Sequence, residues 1–176
     1  SSIAIIEKGY EKMNEMKEKI LSVIEKNSKI SIKDLAIVLG EPEEEVAKAI
    51  YEMESDKTIC GYHTIINWDK TNREKVVALI EVRVTPQRGH GFDHIAERIY
   101  NFPEVDTVYL MSGAYDFCVM LEGKTLKQVS AFVSEKLSTL ESVTSTATHF
   151  VLKKYKDHGT IMVSETNKKE RQLITP

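Results

Sequence analysis

Cysteine is scarce in this 176-residue chain: Cys60 and Cys118 are its two thiols, far apart and without the close partner spacing of a metal knuckle. Neither a disulfide framework nor a structural metal is expected from them, and a reduced, cytoplasmic protein is the simplest reading. Long apolar runs are also missing. None approaches the ~20 residues that a membrane-spanning helix needs, so no membrane partner is expected. The opening SSIAIIEKGYEKM lacks a basic start followed by an apolar core, so no signal peptide is expected. Missing too are a phosphate-cradling P-loop, a GxGxxG turn, a zinc-hydrolase helix and any readable nucleophile–base–orienter set. The chain is therefore expected to be no enzyme, with no catalytic residues, no metal and no cofactor. What remains is a composition of 41% hydrophobic and 29% charged residues, which excludes a disordered chain and suits a globular one.

The first half reads as three helices and a hairpin. Met16, Ile20, Leu21 and Ile24 mark one face of a helix over Asn14–Asn27. Ser31, with Asp34 three residues on, caps a short second helix whose Ile32, Leu35, Ala36 and Leu39 face inward. Gly40 ends it, and Pro42 starts a third helix with a buried stripe of Val46, Ala49, Ile50 and Met53. Thr58–Cys60 and His63–Trp68 then pair around Gly61-Tyr62. Two helices joined by a tight Gly turn, a preceding helix and a β-wing make a winged helix-turn-helix.

Residues 69–74 are polar and read as a linker. Beyond it, Val76–Val84 alternates as a strand, and Phe92, Ile95, Ile99 and Phe102 give a helix. Val105–Ser112 and Asp116–Glu122 form strands joined by Gly113-Ala114-Tyr115. Thr125 with Gln128 caps a second helix, its apolar face formed by Leu126, Val129, Val133, Leu137 and Leu140; Val143–Lys154 is the last strand. The order β-α-β-β-α-β is that of a ferredoxin-like unit. The fold class is thus α+β: a winged helix-turn-helix in residues 1–68, the linker, a βαββαβ domain in 75–156, and a polar C-terminal extension over 157–176. Helices cover one face of such a sheet, and a second copy of the chain is the economical cover for the other.

Several short motifs stand in a familiar order. Ser112-Gly113-Ala114-Tyr115-Asp116 lies between two strands, and Thr146-Ala147-Thr148 lies on the last strand. Upstream are KILSVIEKNSKISIKDLAIVLG, a third helix and TICGYHTIINW. From about Met16 to Lys156 the chain resembles the Lrp/AsnC, or feast/famine, transcription regulators. The resemblance implies a cytoplasmic homodimer built through the C-terminal sheets, assembled into higher homo-oligomers such as octamers. It also implies duplex DNA bound by the third helix, and an amino acid or related metabolite bound between subunits near the Gly-x-Tyr-Asp loop.

The effector-binding candidates are Ser112, Gly113, Tyr115, Asp116, Thr146 and Thr148. Gly113 lets a ligand approach the backbone, Asp116 can accept from a ligand ammonium, and the hydroxyls add neutral hydrogen bonds. The plainer alternative is a turn that needs Gly113, tied together by Asp116, beside a threonine row that reflects β-propensity. For DNA the candidates are Lys33, Lys48, Tyr51 and Lys57. Residues 1–70 carry 10 Lys/Arg against 14 Asp/Glu, and the third helix opens Glu43-Glu44-Glu45. Those carboxylates suit a helix N-terminus but repel phosphates. A metabolite-binding or interaction protein that keeps the fold without binding DNA therefore stands as the alternative. A tetrapyrrole decarboxylase using His90, His94 and Arg98 is a third reading that nothing in their spacing compels.

Overall fold

The computed structural model of the protein describes residues 2–86, 89, 91–123 and 125–163, with no side-chain description for residues 2–11. The chain divides into two compact units, Ser1–Thr64 and Ile65–Pro176.

Unit 1 holds α1 (Ser2–Ile24), α2 (Ile32–Leu39) and α3 (Glu43–Ser55). The first helix starts twelve residues before the expected Asn14, because Gly9, at a cost of about 1 kcal/mol, is the one weak former before it. At α2 the cap is reciprocal. The Ser31 hydroxyl accepts from the Asp34 N–H at 3.0 Å and donates to its carboxylate at 2.7 Å. Gly40 ends α2 in the left-handed region, φ 68°, where an L side chain would be strained. Met16, Ile20, Leu35, Ala36, Val46, Ala49 and Met53 close the core between the three helices. Ile32, expected to face inward, is instead 40% exposed, since it is the first helical residue after the cap.

The helix-turn-helix forms, but the expected wing strands Thr58–Cys60 and His63–Trp68 do not. A two-residue hairpin turn needs positive φ, and Gly61 does not adopt it. The chain turns earlier, at Lys57 (φ 66°). It then runs back along α3: the Ile59 N–H donates to the Met53 carbonyl at 2.8 Å, and Ile59 joins the helical core. Ladder pairing is thus replaced by packing against α3.

Unit 2 contains β1 (Val76–Val84), α4 (Gly91–Tyr100), β2 (Val105–Leu110), β3 (Phe117–Gly123), α5 (Leu126–Phe132) and β4 (Val143–Phe150). A π-helical turn, Val133–Leu137, prolongs α5. A hairpin of β5 (Lys156–Asp157) and β6 (Thr160–Ile161) follows, all but Lys156 within the stretch expected to be an extension. The remainder of that extension, from residue 164, lies outside the described residues. The sheet order is β2-β3-β1-β4, all antiparallel, which is the ferredoxin-like arrangement.

Register decides which side chains are covered. β1 pairs Ile80 with Val119 and Val82 with Phe117 on one side, and Ile80 with Thr148 and Val82 with Thr146 on the other. Directly opposed residues share a face. Ala78, Ile80, Val82, Phe117, Val119 and Leu121 therefore lie together under Ile95, Ile99, Val129, Phe132 and Leu137, each fully buried aliphatic contributing roughly 1.5–3 kcal/mol. Leu126 was expected on this apolar face, but it is the first residue after the Thr125 cap and is exposed.

β4 stops at Phe150 rather than Lys154, because Val151 makes the last bond to β1, at the Val77 carbonyl. β2 ends at Leu110, short of the expected Ser112: the Met111 N–H bond to the Asp116 carbonyl continues the β2–β3 register by one pair, and the chain then leaves the ladder for the glycine loop. Cys118 is buried on the other face of the sheet, opposite Glu81 and Tyr109. Burial pushes its thiol pKa up, and the Glu81 charge adds to the effect.

Two outcomes follow. Ile80→Ala should cost about 2–5 kcal/mol in the denaturant-unfolding transition of unit 2, and a loss under 1 kcal/mol would show that the site collapses freely. Iodoacetamide at ~pH 8 should alkylate exposed Cys60 and spare Cys118 until the protein unfolds; equal rates would contradict the placement of Cys118.

Candidate functional site

The β2–β3 connection, Met111–Asp116, is held by its ends. The Met111 N–H donates to the Asp116 carbonyl at 2.8 Å, and the Asp116 N–H donates to the Val82 carbonyl at 3.0 Å. The Asp116 carboxylate then accepts the Val84 N–H at 2.8 Å. β1 pairs with β3 only as far as Val82, so the Val84 N–H on that edge lies past the end of the ladder and is available to a side chain. Between these ends Gly113 stands at φ 135°, with open space where a Cβ would project. Ser112, Gly113 and Ala114 are exposed, while Tyr115 and Asp116 are half-buried.

Thr146 and Thr148 lie on the helix-facing side of β4, opposite Val82 and Ile80. The Thr146 hydroxyl is 3.4 Å from that of Ser138, just past the π-helical turn. Thr144 donates to the Arg83 carbonyl at 3.1 Å. Asp116 and Thr146 thus flank the Val82–Val84 end of β1 from its two sides, and Thr148 sits one pleat further along. Ser138 and the Val84 N–H belong to this neighbourhood. The sequence carries no signal for either, because Ser138 arrives through the return of β4 and the Val84 N–H through the end of the β1–β3 ladder.

In unit 1, Lys33 is exposed on α2. Lys48 and Tyr51 lie on the outward face of α3, Tyr51 being 71% exposed. Lys57 is off the helix, in the left-handed turn after it. The candidates therefore fall on α2, α3 and the turn beyond. Several acids of this region are engaged by other side chains: Lys17 Nζ is 2.8 Å from Glu52, Lys12 Nζ is 3.6 Å from Glu41, and the Tyr62 hydroxyl donates to Glu54 at 2.8 Å. The Lys17 hydrogen bond holds the Glu52 carboxyl below its usual range. Burial, then the Glu54 contact, pushes the Tyr62 hydroxyl up.

His94 and Arg98 are exposed on α4, and His90 lies outside the described residues. Among the described residues no group of three or more His, Cys, Asp or Glu side chains is placed to hold a metal ion, and no helix is long and apolar enough to cross a membrane.

A three-helix unit with a capped helix-turn-helix, followed by a βαββαβ sheet, defines a two-domain regulator of the helix-turn-helix type. A family model described as the Lrp/AsnC ligand binding domain matches residues 77–161. The chain is 45% identical over 164 residues to YugG, an uncharacterized HTH-type transcriptional regulator of Bacillus subtilis, covering 93% of this chain and 98% of YugG. A proline dehydrogenase transcriptional activator of Rhizobium radiobacter is 21% identical over 141 residues, 80% of this chain and 90% of its own. Among solved structures, a transcriptional regulator from Neisseria meningitidis in complex with L-Met superposes with a TM-score of 0.64 at 19% identity, covering 87% of this chain and 97% of its own. AsnC of E. coli does so with 0.60 at 17% identity, covering 80% and 92%. This protein belongs to the Lrp/AsnC family of HTH-type transcriptional regulators.

Asp116→Ala removes the acceptor of the Val84 N–H and should cost about 1–3 kcal/mol in the denaturant midpoint of the unliganded protein. Unchanged stability would show that this bond does not fasten the loop.

Proposed function

We propose that this regulator binds duplex DNA through α3 and the residues beside it, Lys33, Lys48, Tyr51 and Lys57. It senses an amino acid or close relative at Ser112, Gly113, Tyr115 and Asp116, with Thr146 and Thr148 contributing from β4. The observation that carries the sensing role is the loop itself. Its ends are fixed by three hydrogen bonds while its tip is exposed around a glycine in a conformation closed to L side chains. A rigid, bare backbone of this kind presents N–H and C=O groups to a small zwitterion without a side chain in the way. One carboxylate oxygen of Asp116 is occupied by Val84, so Asp116 contributes charge and position, and a ligand ammonium would share the carboxylate. The L-Met bound by the Neisseria regulator makes methionine the first ligand to try.

The face of the sheet away from the helices carries Leu79, Met120, Ala147 and Tyr109, with Tyr109 exposed. A second copy laid across it would bury these apolar side chains together with the Glu81–His149 pair of the same face. The same pairing would bring further side chains to the sensing loop and supply the second half of a DNA-binding pair. A second reading, a metabolite-binding protein that does not touch DNA, is favoured by one observation: Glu43, Glu44 and Glu45 stand exposed in the first turn of α3.

A thermal-shift screen across the amino acids tests the sensing role. A ligand at 100 times its Kd should add about 2.7 kcal/mol of stability, and Ser112→Ala with Thr146→Val should abolish that rise without unfolding the protein. If no amino acid raises the melting temperature, the sensing role is wrong. Retention of genomic fragments at low salt separates the two readings on DNA.

A further inference from the structure

The outward row of α3 is Glu44, Lys48, Tyr51 and Ser55, spaced four, three and four residues apart and all exposed. Two further carboxylates flank it: Glu52 lies four residues from Lys48, and Glu54 three from Tyr51. Unlike Glu43, Glu44 and Glu45, both are half-buried, and each is tethered from behind. Lys17, on α1, holds Glu52 at 2.8 Å. Tyr62, on the segment that returns along α3, donates to Glu54 at 2.8 Å. The Ile59 N–H bond to Met53 sets that segment's course, so the Tyr62 tether is built into the backbone path. Lys12 does the same for Glu41 before the helix, more loosely, at 3.6 Å.

We infer that Tyr62 and Lys17 are positioning residues for DNA recognition, holding the carboxylates of Glu54 and Glu52 off the groove-facing row of α3. The inference rests on the DNA reading above and accounts for how two of the helix's carboxylates are kept from the phosphates, while Glu44 stays exposed in the row. A Glu released from its tether can extend along the helix surface toward the row. There it lies within a Debye length, ~8–10 Å, of any phosphate that Lys48 reaches. Each released charge weakens binding by about two- to fivefold, and salt screens the penalty. Tyr62 suits the task on Glu54 because it brings a hydrogen bond and no charge of its own, leaving the count of cations on the unit unchanged.

The test is fluorescence anisotropy of the full chain on a random-sequence duplex of ~30 base pairs, at ~50 and ~300 mM salt. Tyr62→Phe is expected to weaken binding two- to fivefold at low salt, with the difference closing at high salt and the melting temperature within a degree or so of native. Glu54→Gln alone should bind as well as the native protein or better. The double variant Tyr62→Phe/Glu54→Gln should recover native affinity, and Glu52→Gln should likewise rescue part of the loss in Lys17→Met. A Tyr62→Phe loss that persists at high salt, or that Glu54→Gln does not restore, marks a merely structural role and overturns the inference. Native binding that Tyr62→Phe leaves unchanged overturns the inference alone. No binding by the native protein at low salt overturns the DNA reading and the inference together.

Discussion

The carboxylate of Asp116 on the Val84 N–H joins the two things unit 2 must do. β1 is paired on both edges, so its alternation sorts the side chains of β3 and β4 at once: Ala78, Ile80 and Val82 beneath the helices, Leu79 and Glu81 on the open face. A slip of one residue would exchange the two sets. The register is locked along most of the strand and breaks only at Arg83/Val84. On the opposite edge, past the last β1–β3 pair at Val82, the Val84 N–H is taken by Asp116, the last residue of the glycine loop. The end of the β1–β3 ladder is therefore also the anchor of the candidate sensor, so changes at the loop bear on the sheet and the reverse.

In unit 1 the dominant constraint is charge. Packing is conventional: three amphipathic helices around Ile20, Leu35, Val46 and Met53, with a reciprocal cap and a glycine stop. What distinguishes it is how its acids are used. Glu43, Glu44 and Glu45 favour the α3 dipole, and Glu41, Glu52 and Glu54 are bound by Lys12, Lys17 and Tyr62. Formal charge in the sequence thus overstates the negative field that α3 presents outward, because part of it is paired within the unit.

How much was legible in the sequence differs by element. β1 was readable to the residue, since Glu81 and Arg83 alternating with Ile80, Val82 and Val84 leave one choice of face. The Ser31 and Gly40 ends of α2 were legible because capping is local chemistry. The wing was misread. Ile/Thr-rich segments around a glycine look like a hairpin, and whether they pair depends on a tertiary choice, the packing of Ile59 against α3, that no local pattern records. The early start of α1 was missed because the helix was read from the apolar face of Met16, Ile20 and Ile24, which does not mark where the helix begins. At the candidate site the loop residues were visible as a motif. Their anchoring on Val84, and the meeting of Thr146 with Ser138, depend on where the β1–β3 ladder ends and on a chain return, which leave no mark in composition or spacing.

The central claim is that one chain couples a small-molecule site in the βαββαβ unit to DNA contact by the helix-turn-helix. The most direct measurement is DNA affinity of the full chain at fixed salt, titrated with the amino acid that most raises its melting temperature. Coupling predicts a change in affinity of ~5–150-fold, lost together with the thermal shift when Ser112 and Thr146 are replaced. A ligand that stabilises the protein yet leaves DNA affinity unchanged would contradict it.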